Sequence, residues 1–165
     1  MKSALLQRRR GFTMAELLVT VAVVAILLAI AAPSFGKMLS KRRLEGAATE
    51  LFNDLQYARS QAVADNRQVQ LVATTSSYVI STVNAPAKTY RTVSELPPDV
   101  ALEAGATVVF APLRGCMTDN SCSADDLVLD VKSSSTPEKL RVVVNNMGRV
   151  RLCSPDGGFK GYTSC

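Results

Sequence analysis

Three sets of residues in this 165-residue chain have types and spacings that could do chemistry. Glu16 is a lone carboxylate inside an apolar run, Phe12 to Ala32, whose other polar members are Thr13 and Thr20. An ionised side chain at mid-bilayer costs roughly 2.5–3.5 kcal/mol, so an acid kept there needs a cation to pair with. Arg149 and Arg151 flank Val150 in the sequence Gly148-Arg149-Val150-Arg151. Residues two apart on a strand share a face, and paired guanidinium forks suit phosphate. Cys116, Cys122, Cys153 and Cys165 could oxidise in an exported domain.

Other chemistries lack their residues. The chain has no histidine, no nucleophile elbow, no phosphate-binding glycine loop and no cysteine pair at two-residue spacing. Asp125, Asp126 and Asp130 invite a carboxylate cluster, but alternation along a strand sends Asp126 and Asp130 to solvent. No enzyme, no metal, no cofactor and no small-molecule substrate is expected.

The elements that must position these groups follow from hydrophobic patterning. Phe12 to Ala32 is 21 residues, and about 20 apolar residues cross a bilayer core as a helix. An ordinary signal-anchor is one reading. A cleavable signal peptide is another, since Ala29-Ile30-Ala31 offers a small-x-small site; the length of the run, Glu16 and Pro33 speak against it. Beyond it, Leu44, Ala48, Leu51, Leu55, Ala58 and Ala62 make a narrow apolar stripe at helical spacing, facing the chain's own core. Glu45, Glu50, Asp54, Arg59 and Asp65 occupy the rest of that surface. One helix is expected from about Thr13 to Asn66.

After Arg67 the pattern is β. Residues 68–72, 77–81, 107–110, 126–131, 139–144 and 149–152 read as strands. The last two form a hairpin about Asn145-Asn146-Met147-Gly148. If that four-residue loop pairs Val144 with Arg149, then Val142 and Val144 share the arginine face, and Arg141 lies on the other with Val143, Val150 and Leu152. Lys160, with Phe159 and Tyr162 nearby, would add a charge and stacking rings to the pair. Two solvated arginines on an edge strand are the plainer alternative. Four cysteines allow three pairings; proximity favours 116–122 with 153–165.

The leader junction carries a family resemblance. Gly11-Phe12-Thr13 with Glu16 and Leu17-Leu18-Val19 resembles the class III leader of type IV pilins and type II secretion pseudopilins. The resemblance implies cleavage after Gly11 by a prepilin peptidase and methylation of Phe12. It also implies docking of Glu16 onto the amine of a neighbouring subunit. The domains then read as a leader (1–11), a transmembrane and assembly helix (12–34), an amphipathic half-helix (35–66) and a β-rich domain (67–165). The fold implied is α+β, a long amino-terminal helix packed on an antiparallel β-sheet domain.

Removing the leader removes Lys2, Arg8, Arg9 and Arg10, leaving 15 basic and 14 acidic residues, a net of +1. The charge is unevenly placed. Residues 99–138 hold seven acids against two bases, and residues 139–165 hold five bases against one acid. Such a split bears on partners.

Glu50 to Ala62 resembles the LxxxLxxARSxA segment of the GspH/FimT branch of that family. FimT-type minor pilins carry a Gly-Arg-x-Arg motif implicated in DNA binding, and it stands here as Gly148, Arg149, Val150 and Arg151. The resemblance implies a minor pilin that binds double-stranded DNA during natural transformation through Arg149 and Arg151, to which charge placement adds Lys160. Its partners would be major and minor pilins, and it would pass from the inner membrane, amino terminus cytoplasmic, to the extracellular pilus. A FimU-like initiation subunit and a GspH-type pseudopilin of type II secretion remain open beside it.

Overall fold

The computed structural model describes residues 12–103, 105–113 and 126–165. The leader with Gly11, and the segment holding Cys116, Cys122 and Asp125, lie outside the described residues. The chain divides into two compact units, residues 1–36 and 37–165.

The first unit contains the start of helix α1 (Met14–Ala64). Thr13 caps it: its Oγ1 accepts the Glu16 backbone N–H at 3.2 Å, and its carbonyl accepts the Leu17 N–H at 3.1 Å. Thr-x-x-Glu is the spacing of a capping box, and a carboxylate in the first turn complements the helix's positive end. Glu16 therefore has a local reason for its position at the start of the helix. Every large apolar side chain from Leu17 to Ile30 is exposed. The helix is long and apolar enough to cross a membrane.

In the second unit, the later half of α1 buries its stripe. Leu44, Ala48, Leu51, Leu55, Ala58 and Ala62 are each at most 1% exposed. The helix stops at Ala64 because Asn66 turns left-handed, with φ of 50°. The Asn66 N–H then bonds the Val63 carbonyl and the Arg67 N–H bonds the Ala62 carbonyl, which satisfies two otherwise orphaned acceptors.

Eight strands follow: β1 (Val69–Ala73), β2 (Tyr78–Thr82), β3 (Thr89–Val93), β4 (Val100–Leu102), β5 (Ala106–Phe110), β6 (Leu127–Ser133), β7 (Lys139–Val144) and β8 (Val150–Cys153). They form two antiparallel sheets, ordered β3-β2-β1-β5 and β4-β6-β7-β8. Patterning does not signal β3 or β4. Thr89, Arg91 and Thr92 are exposed on β3, which is held by backbone pairing to β2, and β4 is three residues long.

A single cluster joins the helical stripe to Leu71 and Ile80 of the first sheet and to Val131, Leu140 and Val142 of the second. Asp54 departs from the expected polar surface of α1, being only 4% exposed. Tyr78 donates its hydroxyl to Asp54 at 2.7 Å, Arg91 Nε lies 2.9 Å away, and Arg91 also meets Glu50. Desolvation raises the Asp54 carboxyl above its ordinary value against the pull of those donors. Burial likewise pushes the Tyr78 hydroxyl up.

Leu55→Ala removes a fully buried side chain from the helical stripe and is expected to cost about 2–5 kcal/mol of unfolding free energy. Urea denaturation of the chain in detergent, followed by near-UV circular dichroism, measures this. A midpoint unchanged from wild type would show that the stripe is not what holds the unit together.

Candidate nucleic-acid interface

The β7–β8 hairpin positions the arginine pair. Gly148 N–H donates to the Asn145 carbonyl at 2.8 Å, and Asn145 N–H donates to the Arg149 carbonyl at 3.0 Å. Gly148 has φ of 69°. This is a three-residue loop, Asn146 to Gly148, whose left-handed position glycine fills without steric cost. Asn145 Oδ1 accepts the Arg149 N–H at 2.7 Å and fixes the turn.

Val144 consequently pairs with Val150, Val143 with Arg151, and Arg141 with Cys153. The expected pairing of Val144 with Arg149 is off by one, and a one-residue slip reverses every face. Val142, Val144, Val150 and Leu152 share the core side. Arg141 and Val143 share the other side with Arg151.

The slip changes the electrostatics. Asp130 pairs with Arg141 on that outer side, yet it is buried, contrary to the expectation of a solvated acid. Arg141 grips it with both arms, Nε at 2.6 Å and a terminal nitrogen at 2.7 Å, and Lys139 Nζ adds a contact at 2.8 Å. Arg141 first, then Lys139, hold its carboxyl down at about 2. Two of the five bases of the carboxyl-terminal segment are thereby already engaged, and one of their two charges is balanced. Asp126 is exposed, as expected.

Arg149, Arg151 and Lys160 are all exposed. Among the described residues none of them has a carboxylate within 4 Å. They do not converge in one depression. Arg149 lines a groove of about 660 Å³ with Arg59 and Val63 of α1. Arg151 lines a smaller cleft of about 210 Å³ with Arg141 and Asp126. Arg59 stands ninety positions before Arg149 in the chain, so no spacing announces their shared groove.

Lys160 sits in a loop closed by the Cys153–Cys165 disulfide, Cα atoms 5.2 Å apart. The loop is pinned where Ser154 N–H donates to the Thr163 carbonyl at 2.9 Å. Phe159 is 4% exposed and belongs to the core, with the Lys41 ammonium 5.7 Å from its ring centroid. It packs edge-on against half-buried Tyr162. Phe159 therefore anchors the loop and offers no stacking surface to a base. Among the described residues no three metal-ligating side chains come together.

A capped apolar helix, an amphipathic continuation and an antiparallel β domain together define a pilin-type subunit. The family model described as type II transport protein GspH matches residues 47–148, and the prokaryotic N-terminal methylation motif matches residues 6–32. The chain belongs to the GspH family, the minor pilins and pseudopilins of type IV pili and type II secretion. The methylation match spans Gly11, Phe12 and Glu16; Arg149 and Arg151 fall just beyond the GspH match. The type IV minor pilin FimU of Pseudomonas aeruginosa is similar in structure, with a TM-score of 0.55 at 21% identity over 68% of this chain and 89% of that one. The minor pseudopilin EpsH of the Vibrio cholerae type 2 secretion system has a TM-score of 0.53 at 15% identity, over 68% and 98%. No curated protein sequence matches.

Asp130→Asn removes the carboxylate that Arg141 and Lys139 share. A native carboxyl at about 2 against an ordinary value of 3.8 corresponds to roughly 2 kcal/mol of stability. Because the folded carboxyl is depressed, this stability is present above pH about 4 and is lost as pH falls toward 2. The variant should be less stable by about that amount at neutral pH, and the difference should fade between pH about 4 and 2. Denaturant midpoints across pH measure it; a pH-independent difference would refute the pairing as its source.

Proposed function

We propose that this chain is a minor pilin of type IV pili that binds extracellular double-stranded DNA without regard to sequence, for uptake in transformation. The carrying observation is that Arg149 and Arg151 stand exposed, with no carboxylate within 4 Å among the described residues, while Asp130 occupies the neighbouring Lys139 and Arg141. Phosphate contacts position a duplex and do not read its bases. Gly148 shapes the turn that presents the pair, and Lys160 adds charge from the disulfide-closed loop.

In this reading a prepilin peptidase cuts between Gly11 and Phe12, and Phe12 is methylated. The helix then anchors the chain in the inner membrane with its amino terminus cytoplasmic and the β domain periplasmic. On assembly Glu16 pairs with the amine of a neighbouring pilin, because a buried charge is tolerable only when matched. A second reading, a tip or initiation subunit of a pilus or a type II secretion pseudopilus without DNA binding, is favoured by the likeness to FimU and EpsH.

Mass spectrometry of the chain from its native host should find it starting at Phe12 with one added methyl group; any other start removes the filament assignment. Fluorescence anisotropy of the full chain in detergent micelles against a duplex separates the two readings. Binding should fall with salt on a log–log slope of order −2 to −4. Arg149→Ala/Arg151→Ala should weaken it at least about tenfold and flatten the slope by roughly 2. Equal binding by the double variant, or none by the wild type, favours the second reading.

A further inference from the structure

We propose that Arg59 is a further phosphate-contacting residue, and that the groove it lines with Arg149 seats a sugar–phosphate strand of the DNA. The inference rests on the DNA-binding reading above and adds a helix residue to an interface otherwise confined to the carboxyl-terminal hairpin and loop.

The groove is built from the last turns of α1, Gln56 to Ala64, and the tip of the hairpin. Arg59, Ser60 and Val63 form its helical wall, and Gly148, Arg149 and Val150 form the other. Its volume of about 660 Å³ exceeds what a lone phosphate needs and leaves room for the attached sugar. Arg59 is half-buried on a rigid helix, so less freedom is lost when it binds than for a guanidinium on a loop. Val63 is 54% exposed and gives the sugar an apolar surface.

The charges agree with an anionic occupant. Among the described residues neither Arg59 nor Arg149 has a carboxylate within 4 Å, and no carboxylate lines the groove. A helix carboxyl end carries partial negative charge, about half an elementary charge, which opposes an anion. Here the Ala62 and Val63 carbonyls are already bonded to the Arg67 and Asn66 N–H groups, and two guanidinium charges outweigh what remains. The smaller cleft beside Arg151 is less suited to seat the same strand, because it holds Asp126.

The test measures duplex affinity of the full chain in detergent micelles across a salt series. Arg59→Gln should weaken binding by about three- to tenfold and flatten the log–log salt slope by about one, while Arg59→Lys should keep the slope. A purely structural role for Arg59 would leave the slope alone. Val63→Glu puts an acid into the groove from an exposed position without altering either arginine, and should weaken binding even if Arg59→Gln proves poorly folded. Wild-type affinity and slope in Arg59→Gln, or wild-type affinity in Val63→Glu, overturns the proposal; if Arg149→Ala/Arg151→Ala still loses binding, the DNA-binding reading survives it. If the double variant binds normally, that reading and this proposal fall together. If Arg59→Gln binds DNA normally but is depleted from sheared pili, the groove belongs to a neighbouring pilin and the proposal is again overturned.

Discussion

The buried stripe of α1 is the interaction on which the rest of the second unit depends. The two sheets are separate hydrogen-bonded arrays, and the side chains of Leu44, Leu51 and Leu55 are what both bury against. The stripe mixes leucines with alanines. Ala47, Ala48, Ala58 and Ala62 are all buried. A sheet with one apolar face needs a partner layer; a single helical half serves as that layer for two sheets at once.

Two carboxylates lie inside this arrangement, and they are treated differently. Asp54 accepts from Tyr78 and faces one guanidinium, yet desolvation wins and its carboxyl rises. Asp130 is held by a two-armed arginine and a lysine, and its carboxyl falls to about 2. The difference is the number of charge-assisted donors on each acid. Asp54 tethers α1 to β2 and β3 at some electrostatic cost. Asp130 ties β6 to β7 with a net gain, and in doing so withdraws Lys139 and Arg141 from any partner of the molecule.

Much of the fold was legible because its signals are periodic. The helical stripe, the apolar run and the hairpin all rest on spacings that one stretch of chain contains. The hairpin faces were misassigned because parity on a strand depends on loop length. Reading Asn145 to Gly148 as a four-residue loop put Arg141 beside Val150; the left-handed Gly148 makes the loop three residues and puts it beside Arg151. Alternation likewise sent Asp130 to solvent, and it does lie on the outer face, but two long cationic side chains fold over it there. Phe159 resembled a stacking ring in sequence because its burial comes from α1 and Lys41, more than a hundred positions away. β3 was silent because an edge strand held by backbone pairing needs no apolar period.

The division of the basic residues follows from these contacts. The carboxyl-terminal segment has Lys139, Arg141, Arg149, Arg151 and Lys160, and a count of charges treats them alike. The structure sorts them by what they already hold. Lys139 and Arg141 meet Asp130 at hydrogen-bond distance, so an incoming anion would have to displace a buried carboxylate and leave it unpaired, which is costly. Arg149, Arg151 and Lys160 have no such prior partner among the described residues, and an anion that meets them displaces only water and counterions. Arg59, counted with the helix in sequence, joins this second group because the hairpin tip is folded beside it. A charge is available to a partner according to its neighbours in space, and those neighbours are set here by one three-residue turn and one buried aspartate.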